Sequence, residues 1–200
     1  MKTKMIRLAA VALAVAALAP VAQAQTDGNW EVRLRAVNID PANDNDNLDV
    51  SINKKLIPEF DISYYFTPNI AAELILTYPQ KHNVKLNGSV IGSVKHLPPT
   101  LTVQYHFMPD STAFRPYVGA GINYTNFSGV DLPGGLNVDR SSWGLAFQAG
   151  ADIPLAKQWY LNVDIKKVYI RTDINDASGA KLDTFKVDPL LVGVGIGYRF

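Results

Sequence analysis

Charged side chains recur at every second position near the start of the chain, where Glu31, Arg33 and Arg35 alternate with apolar residues. Glu59 and Asp61 repeat the same spacing in a later apolar segment. Period-two spacing places such residues on one face of a β-strand, and acids and bases on facing strands neutralise each other as ion pairs. The chemistry that this pattern offers is charge pairing between strands.

Residues suited to catalysis or to metal binding are sparse. The sequence contains no cysteine, so thiolate ligands and cysteine nucleophiles are excluded. His82, His96 and His106 are spread over a loop, a strand top and a strand bottom, and no G-x-S-x-G motif is present. The net charge of +1 is too small for a nucleic-acid-binding protein. We expect no enzyme, no metal and no cofactor.

The first 24 residues have the features of a secretory signal peptide. A basic start precedes the unbroken apolar stretch Leu8 to Leu18, and Ala22-Gln23-Ala24 forms a small-x-small cleavage site. The stretch is too short to span a bilayer as a helix. We expect residues 1–24 to be removed and residues 25–200 to form one exported domain. Cleavage removes three basic residues and no acidic one, which changes the formal net charge from +1 to −2.

Strict alternation of apolar residues with polar or small ones runs through most of the mature chain and predicts β-strands. Tight turns alternate with long loops rich in Asn, Asp, Gly and Ser. Short turns on one side and long loops on the other, in an exported chain of even strand number, predict an all-β, eight-stranded antiparallel transmembrane β-barrel in the outer membrane. The eight predicted segments are Trp30–Asp40, Leu56–Phe66, Ile70–Gln80, Leu97–Phe107, Phe114–Phe127, Ser142–Ile153, Trp159–Arg171 and Phe185–Phe200.

A soluble eight-stranded barrel with the opposite phase is the competing interpretation. It would put Gly119, Gly121, Gly193, Gly195 and Gly197 on a solvated surface, whereas glycines suit a crowded lumen better. The chain also ends on an apolar-alternating strand with a terminal phenylalanine. Aromatic residues beside the short turns would supply the periplasmic interface belt: Tyr64, Tyr65, Phe66, Phe107, Phe114, Trp159, Tyr160, Tyr198 and Phe200.

Several blocks of the sequence resemble the OmpW family of outer-membrane proteins. The blocks are His96-Leu97-Pro98-Pro99-Thr100-Leu101, Phe114 to Thr125, Ser142-Trp143-Gly144, Asp188-Pro189 and the ending Gly197-Tyr198-Arg199-Phe200. The resemblance covers the mature chain except its four long loops. It implies an eight-stranded outer-membrane barrel proposed to pass small hydrophobic molecules, as for relatives of the alkane-uptake protein AlkL. It also implies that the terminal strand, with Tyr198 and Phe200, is recognised by the barrel-assembly machinery.

The inward-facing positions divide by height once both termini are placed on the periplasmic side. Charged residues of both signs occupy the lower lumen and are expected to pair and close it: Glu31, Arg33, Arg35, Glu59, Asp61, Glu73, Arg115, Asp164 and Arg199. Lys166 lies nearer the middle. Aliphatic residues occupy the upper lumen and form the predicted substrate channel: Val37, Ile39, Ile57, Ile75, Val168, Ile170 and Leu191.

A small hydrophobic ligand in this upper lumen could not pass the charges and would leave sideways into the bilayer. Prolines weaken a strand ladder because they lack an N–H donor, and Pro98-Pro99 is the predicted lateral opening. Further prolines lie within or at the upper ends of the predicted strands: Pro58, Pro79 and Pro189. The upper aliphatics and prolines also have a purely structural interpretation, as lumen packing and as strand ends. The alternative function is a structural or adhesive barrel that acts through its extracellular loops. A water-filled porin ranks last because eight strands are too few. Expected partners are outer-membrane lipid, lipopolysaccharide and the barrel-assembly machinery.

Overall fold

The computed structural model describes residues 28–45 and 49–200, so the predicted signal peptide at 1–24 lies outside the described residues. The described chain is almost entirely β-structure. Its strands are β1 (Trp30–Asp40), β2 (Asp44–Asn45), β3 (Val50–Ile52), β4 (Lys55–Thr67), β5 (Ile70–Leu76), β6 (Gln80–Leu86), β7 (Ser89–Leu97), β8 (Thr100–His106), β9 (Arg115–Asp131), β10 (Asn137–Val138), β11 (Ser141–Ala156), β12 (Trp159–Val168), β13 (Arg171–Asn175), β14 (Lys181–Lys186) and β15 (Leu190–Arg199).

Eight long strands close into an antiparallel barrel in the order β1-β4-β5-β8-β9-β11-β12-β15. The last strand returns to the first through a ladder that runs from Glu31 opposite Arg199 to Asp40 opposite Leu190. The two ends are tied together because the Trp30 N–H donates to the Phe200 carbonyl at 3.1 Å and the Phe200 N–H donates back at 2.8 Å. Each barrel strand corresponds to one of the eight segments that the alternation predicts.

The outward face of the barrel is apolar and is bounded by aromatic side chains at both ends. Near the short turns, Trp30 packs edge-on against Tyr64 with ring centroids 4.8 Å apart. At the opposite end, Tyr124 lies 4.8 Å from Trp143, and Tyr78 is also exposed. Aromatic belts at the two limits of an apolar band are typical of the two interfaces of a bilayer.

Two of the aromatic residues expected in the periplasmic belt point into the lumen instead. Tyr65 and Tyr160 are each 3% exposed, whereas their neighbours Tyr64 and Trp159 face outward. The prediction was wrong at these positions because residues adjacent in a strand must lie on opposite faces. The interior of the periplasmic end therefore contains two buried phenol rings.

Glycines on the inward face make room for large luminal side chains. A Cβ atom at Gly195 would lie 2.7 Å from Arg35 Cγ and 2.1 Å from the Leu34 carbonyl oxygen, and one at Gly119 would lie 2.7 Å from Gln148 Cγ. All three distances are too short for a real Cβ atom, so any larger residue would displace the luminal side chains or the neighbouring strand. The glycine pattern therefore reflects a crowded lumen, as expected from the sequence.

The segments expected to be long loops fold into further strands on top of the barrel. We call this region the extracellular head; it comprises β2, β3, β6, β7, β10, β13 and β14. The β6–β7 hairpin and β3 continue the barrel wall through β7, which pairs with the upper part of β9, while β10, β13, β14 and β2 form a separate four-stranded sheet. The two sheets enclose an apolar core that includes Val50, Val84, Phe127, Ile174 and Phe185.

Helical structure is minor in the described residues. A 3-10 turn covers Pro133–Gly135 in the head, and Gly134 and Gly135 adopt the left-handed conformation there, with φ of 67° and 74°. No helix in the described part of the chain is long and apolar enough to cross a membrane.

Candidate functional site: a charged floor beneath two apolar cavities

The lower lumen is crossed by two arginines from β1, each of which contacts several carboxylates. Arg33 contacts Glu31 at 2.5 Å, Glu73 at 3.1 Å, and both Asp61 and Asp152 at 3.3 Å. Its side chain is 0% exposed. Because the four acids come from β1, β4, β5 and β11, a single guanidinium links strands on different sides of the barrel.

Arg35 forms a second layer directly above Arg33. Its guanidinium lies 2.5 Å from Asp61, 2.8 Å from Glu73, 3.0 Å from Glu59 and 3.7 Å from Asp164. The side chain is again fully buried. Asp61 and Glu73 are shared by both arginines, so the two layers form one continuous network, which we call the charged floor.

Lys166 caps the charged floor. Its ammonium group lies 2.6 Å from Glu59 and 3.0 Å from Asp164, and it is almost completely buried. Asp164 also accepts a hydrogen bond from the Tyr117 hydroxyl at 2.8 Å. Lys166 therefore forms the boundary between the charged and the aliphatic halves of the lumen.

Neutral polar side chains complete the charged floor. The Gln104, Gln148 and Thr102 side chains each donate to Glu73 at 2.7–3.1 Å. The Asn162 amide donates to Asp152 at 2.8 Å and to the Tyr117 hydroxyl at 3.1 Å. Tyr117, Asn162 and Thr102 were not among the residues identified from the sequence, although each lies on the inward face by the same alternation.

Arg115 and Arg199 lie nearer the periplasmic end than the carboxylates. Arg115 donates to the Ser111 carbonyl oxygen at 2.8 Å and to the Tyr160 hydroxyl at 3.1 Å. Arg199 donates to the Gly28 carbonyl oxygen at 2.7 Å and stacks over the Tyr65 ring, 3.5 Å from its centroid. Seven of the nine predicted luminal charges thus lie in the charged floor. The other two, Arg115 and Arg199, contact aromatic rings and carbonyl groups below it.

Burial makes the ion pairs of the charged floor depend on one another. Moving an ion from water into a site of low dielectric costs several kcal/mol, and that cost is offset only by close partners and complete hydrogen bonding. Arg33 and Arg35 each have four carboxylate partners, so the loss of one cation leaves several buried carboxylates with too few positive partners. Because both arginines are completely buried, the lumen at this height is filled by side chains.

Above Lys166 lies an apolar cavity, here called the inner cavity. The predicted aliphatic residues line it, except that Val37 packs just below against Ile39 and Ile57. Its volume is about 30 Å³ in this conformation, so a larger solute would have to displace lining side chains. The lining consists of Ile39, Ile57, Glu59, Ile75, Thr77, His96, Pro98, Thr100, Asn123, Lys166, Val168, Ile170, Val187, Pro189 and Leu191.

A second apolar cavity lies in the extracellular head. This outer cavity has a volume of about 60 Å³, and its walls come from both sheets of the head, with Ile52, Phe127 and Ile174 among them. His96 and Val187 line both cavities. These two side chains therefore separate the cavities, and an apolar molecule moving between them would pass His96.

His96 is an uncharged side chain at neutral pH. Its ring stacks on His82 with centroids 4.8 Å apart and an interplanar angle of 14°. Burial lowers the pKa of His96 to about 3, reinforced by repulsion from His82 when that ring is protonated and from Lys55. Burial also lowers the pKa of His82, whose Nδ1 lies 3.2 Å from the Asn53 carbonyl oxygen. The passage between the two cavities is therefore free of charge at neutral pH.

The barrel wall is interrupted beside the inner cavity, next to the predicted proline pair. The β5–β8 ladder ends at Ile75 opposite Thr100, and pairing resumes only at Gln80 opposite His96 in the head. Within the described residues, the segment 77–79 has no ladder partner on this side. The other side of the proline pair is bonded to β9, because the Tyr124 N–H donates to the Pro99 carbonyl oxygen at 3.0 Å.

A second interruption lies on the opposite side of segment 77–79, next to Pro58. The β4–β5 ladder ends at Phe60 opposite Leu76. Above this last pair, a side-chain hydrogen bond connects β4 to segment 77–79: the Thr77 hydroxyl donates to the Pro58 carbonyl oxygen at 3.2 Å. Glu59 and Thr77 line both the inner cavity and a groove on the outer surface of the barrel. Pro58 is among the strand prolines noted from the sequence, whereas the predicted opening was Pro98-Pro99.

Tyr198 and Phe200 lie at the periplasmic end of the closing strand. Phe200 is 52% exposed on the outward face. Tyr198 packs against Trp159 with centroids 4.9 Å apart, and its hydroxyl donates to Gln158 at 2.9 Å. These positions suit an interface belt, and recognition of this strand by the assembly machinery stays a prediction.

Comparison with protein families decides what kind of barrel this is. The model of the OmpW family matches residues 26–200. The chain belongs to the OmpW family. The match spans the eight barrel strands together with the extracellular head, so the family assignment covers the charged floor and both cavities.

Curated relatives agree with this assignment. The chain is 42% identical to the uncharacterized outer-membrane protein y4mB of Sinorhizobium fredii, over 86% of this chain and 80% of the relative. It is 33% identical to outer membrane protein W of Vibrio cholerae, over 94% and 95%. It is also 32% identical to PahQ of Pseudomonas aeruginosa, named a dibenzothiophene metabolism operon protein, over 76% and 74%. This OmpW-family chain is therefore an outer-membrane protein.

Solved structures show the same barrel. The crystal structure of the outer membrane protein OprG from Pseudomonas aeruginosa superposes with a TM-score of 0.77 at 27% identity, covering 90% of this chain and 99% of OprG. The solid-state NMR structure of the outer membrane protein AlkL in lipid bilayers gives a TM-score of 0.67 at 25% identity, covering 91% and 92%. The fold is thus shared by proteins of this membrane.

Proposed function

We propose that this barrel is a passive conduit for small apolar molecules, which enter through the outer cavity, reach the inner cavity and leave sideways into the bilayer. The observation that carries the proposal is the vertical order of the lumen. Two apolar cavities in series end on a charged floor, and the adjacent wall lacks ladder bonds on both sides of segment 77–79. The proposal involves no catalytic step.

Apolar surface supplies the driving force for entry. Each Å² of apolar surface removed from water stabilises a bound molecule by roughly 25 cal/mol. The two cavities offer such surface in sequence, and the neutral His96 between them imposes no charge on the passage at neutral pH. Capture and transfer of an apolar solute therefore need no energy source beyond its own tendency to leave water.

The charged floor directs the solute sideways. A molecule that entered it would displace ion pairs and hydrogen bonds that it cannot replace, which is costly in a buried site. The alternative exit is the wall beside segment 77–79, where Pro58, Pro98 and Pro99 supply no N–H donors. There, the Thr77 hydroxyl bond to the Pro58 carbonyl oxygen is a side-chain contact that rotates away more easily than a strand ladder.

The relatives provide independent support for the class of substrate. PahQ carries the name of an operon for the metabolism of dibenzothiophene, an apolar aromatic molecule. Such a solute partitions into membranes and needs a route past the polar outer surface of the cell. A conduit that opens into the bilayer rather than into the periplasm fits this requirement.

Uptake of a fluorescent apolar tracer into cells tests the proposal. We expect Ile57→Asp and Ile75→Asp to lower uptake by about tenfold or more, because each puts a carboxylate into the inner cavity. Val90→Asp is the matched control, since Val90 is 58% exposed at the tip of the head hairpin and its change should leave uptake unaltered. Equal uptake by all variants at equal surface expression would contradict the conduit.

The lateral step has its own test. Replacing Pro58, or Pro98 together with Pro99, by valine restores N–H donors to the interrupted wall and is expected to reduce uptake. Pro68→Val, in an exposed periplasmic turn, is the matched control. Unchanged uptake in the wall variants, together with reduced uptake in the cavity variants, would keep the conduit but reject this exit.

A structural or adhesive barrel is the second candidate function. The observation that favours it is the folded extracellular head, which presents exposed apolar residues such as Val90 and Leu182. This function requires neither cavity, so it predicts normal tracer uptake in Ile57→Asp and loss of cell attachment in Val90→Asp. The two candidates thus predict opposite results for the same pair of variants.

A further inference from the structure

Two lysines face each other on the outer surface of the head, directly above the apolar band of the barrel. Lys81 of β6 is the register partner of Lys95 of β7, and both side chains are exposed. A third amine lies close by, because Lys55 Nζ donates to the Lys81 carbonyl oxygen at 3.3 Å and lies 6.0 Å from the Tyr78 ring centroid. Three lysines therefore lie close together here, two on the β6–β7 pair and one on β4.

Nothing in the described chain neutralises the two facing lysines. No carboxylate of the described residues lies within 4 Å of the Lys81 or Lys95 ammonium, whereas the nearby Lys54 is paired with Asp40 at 2.6 Å. Like charges directly opposite each other in an antiparallel ladder are destabilising. The protein thus carries an unfavourable charge pair where one neutral residue would relieve it.

The height of this lysine pair relates it to the membrane surface. Tyr78, which is 48% exposed, marks the upper end of the apolar outward face on this side. Below it, the lipid-facing surface continues with Leu76 and Leu101, both exposed. Lysine side chains at such a boundary keep their stems on apolar surface and extend their charges to the level of lipid headgroups.

We propose that Lys81 and Lys95 form a binding site for a phosphate group of the phosphorylated glycolipid in the outer leaflet, the lipid A part of lipopolysaccharide. The two ammonium groups would chelate the phosphate, and the acyl chains would lie on Leu76, Tyr78 and Leu101. An anion between the two lysines also removes their mutual repulsion. The bound lipid therefore stabilises the β6–β7 hairpin, which forms part of the wall of the outer cavity.

Binding of diphosphoryl lipid A to the purified full-length protein in detergent micelles tests this site. A lysine near an anionic lipid surface contributes about fivefold to affinity, so Lys81→Gln with Lys95→Gln is expected to weaken binding by about 25-fold. Lys157→Gln with Lys181→Gln removes the same charge elsewhere on the surface and should leave binding unchanged. Lys81→Arg with Lys95→Arg keeps both charges and should bind within a few fold of wild type.

Two further arms identify the ligand chemistry. Lipid A from which both phosphates have been removed should bind the wild type as weakly as diphosphoryl lipid A binds the Lys81→Gln, Lys95→Gln variant. Inorganic phosphate at equal concentration should not displace diphosphoryl lipid A, because it lacks the acyl contacts. Equal binding of the phosphorylated and dephosphorylated lipids, equal binding by wild type and double variant, or full displacement by inorganic phosphate would each overturn the proposal.

Discussion

The two halves of the lumen are filled by different kinds of side chain, although the same eight strands enclose both. The charged floor packs the space with ion pairs until Arg33 and Arg35 are completely buried. The upper half and the head use aliphatic and aromatic residues that leave two cavities. Hydrogen-bonded ion pairs are directional and fix their partners, whereas apolar contacts tolerate repacking. Directional contacts are therefore concentrated at the periplasmic end, and unfilled apolar space at the extracellular end.

Removing one cation from the charged floor should have the largest effect. Arg35→Met leaves Glu59, Asp61 and Glu73 short of a partner, and we expect it to destabilise the barrel by about 3–5 kcal/mol. The measurement is urea unfolding of the protein in lipid vesicles, followed by tryptophan fluorescence. Arg140→Met, at an exposed position, serves as the control.

A compensating variant distinguishes the loss of charge pairing from the loss of packing at Arg35. Combining Arg35→Met with Asp61→Asn and Glu73→Gln removes the stranded acids along with the cation. Recovery of part of the lost stability is expected if unpaired charge is the cause. A triple variant no more stable than Arg35→Met would mean that lost packing, rather than charge, accounts for the effect.

A cavity-creating change in the head should be the next largest effect, and it should stay local. Phe127 is 4% exposed in the apolar core of the head, so Phe127→Ala is expected to cost about 3 kcal/mol there. Amide hydrogen exchange should rise in β3, β6, β13 and β14, while exchange in the barrel strands stays slow. The lipid-facing Phe107→Ala is the matched control. Equal acceleration in barrel and head would show that the two regions unfold together.

Acidification should loosen the head more than the barrel. The pKa of His96 is about 3 in the folded head against 6.5 in an unfolded chain, so the unfolded state binds protons first. The stability supplied by the neutral imidazole is complete above pH 6.5 and is lost as the pH falls towards 3. Between pH 6.5 and pH 5 the expected loss is about 2 kcal/mol, and His82 adds to it in the same direction.

Hydrogen exchange of the head at pH 7 and pH 5, corrected for intrinsic exchange rates, measures this loss. His82→Gln with His96→Gln should abolish most of the pH dependence of head protection. His106→Gln, at the opposite end of the barrel, should retain it. Identical pH dependence in all three proteins would exclude the stacked histidines as its source.

An exposed ion pair in the head should give the smallest effect and sets the scale for the charged floor. Lys181 lies 2.9 Å from Asp173, and their side chains are 54% and 31% exposed. Solvent screens such a pair, so Lys181→Gln is expected to change stability by less than about 1 kcal/mol. A loss as large as that of Arg35→Met, measured by the same urea unfolding, would remove the distinction between buried and exposed pairs.

Much of the barrel was predictable because side-chain alternation is local. A strand turns successive side chains to opposite faces, so Glu31, Arg33 and Arg35 had to share one face whatever they contacted. The same rule placed Ile57 and Ile75 in the lumen. It would also have placed Tyr65 and Tyr160 there, but their position beside short turns favoured the interface interpretation.

The sequence by itself determined the number of barrel strands, the phase of each strand and the division of the lumen into a charged and an aliphatic half. Only the tertiary structure decided which residues of one strand lie opposite which residues of another. The second wall break beside Pro58, the stacking of His82 on His96 and the opposition of Lys81 to Lys95 depend on register between segments distant in the chain. Register is set by ladder closure, turns and bulges, which period two does not encode. The short strands of the head also depend on tertiary structure. Their few apolar residues gain stability only when the two sheets pack against each other over the barrel.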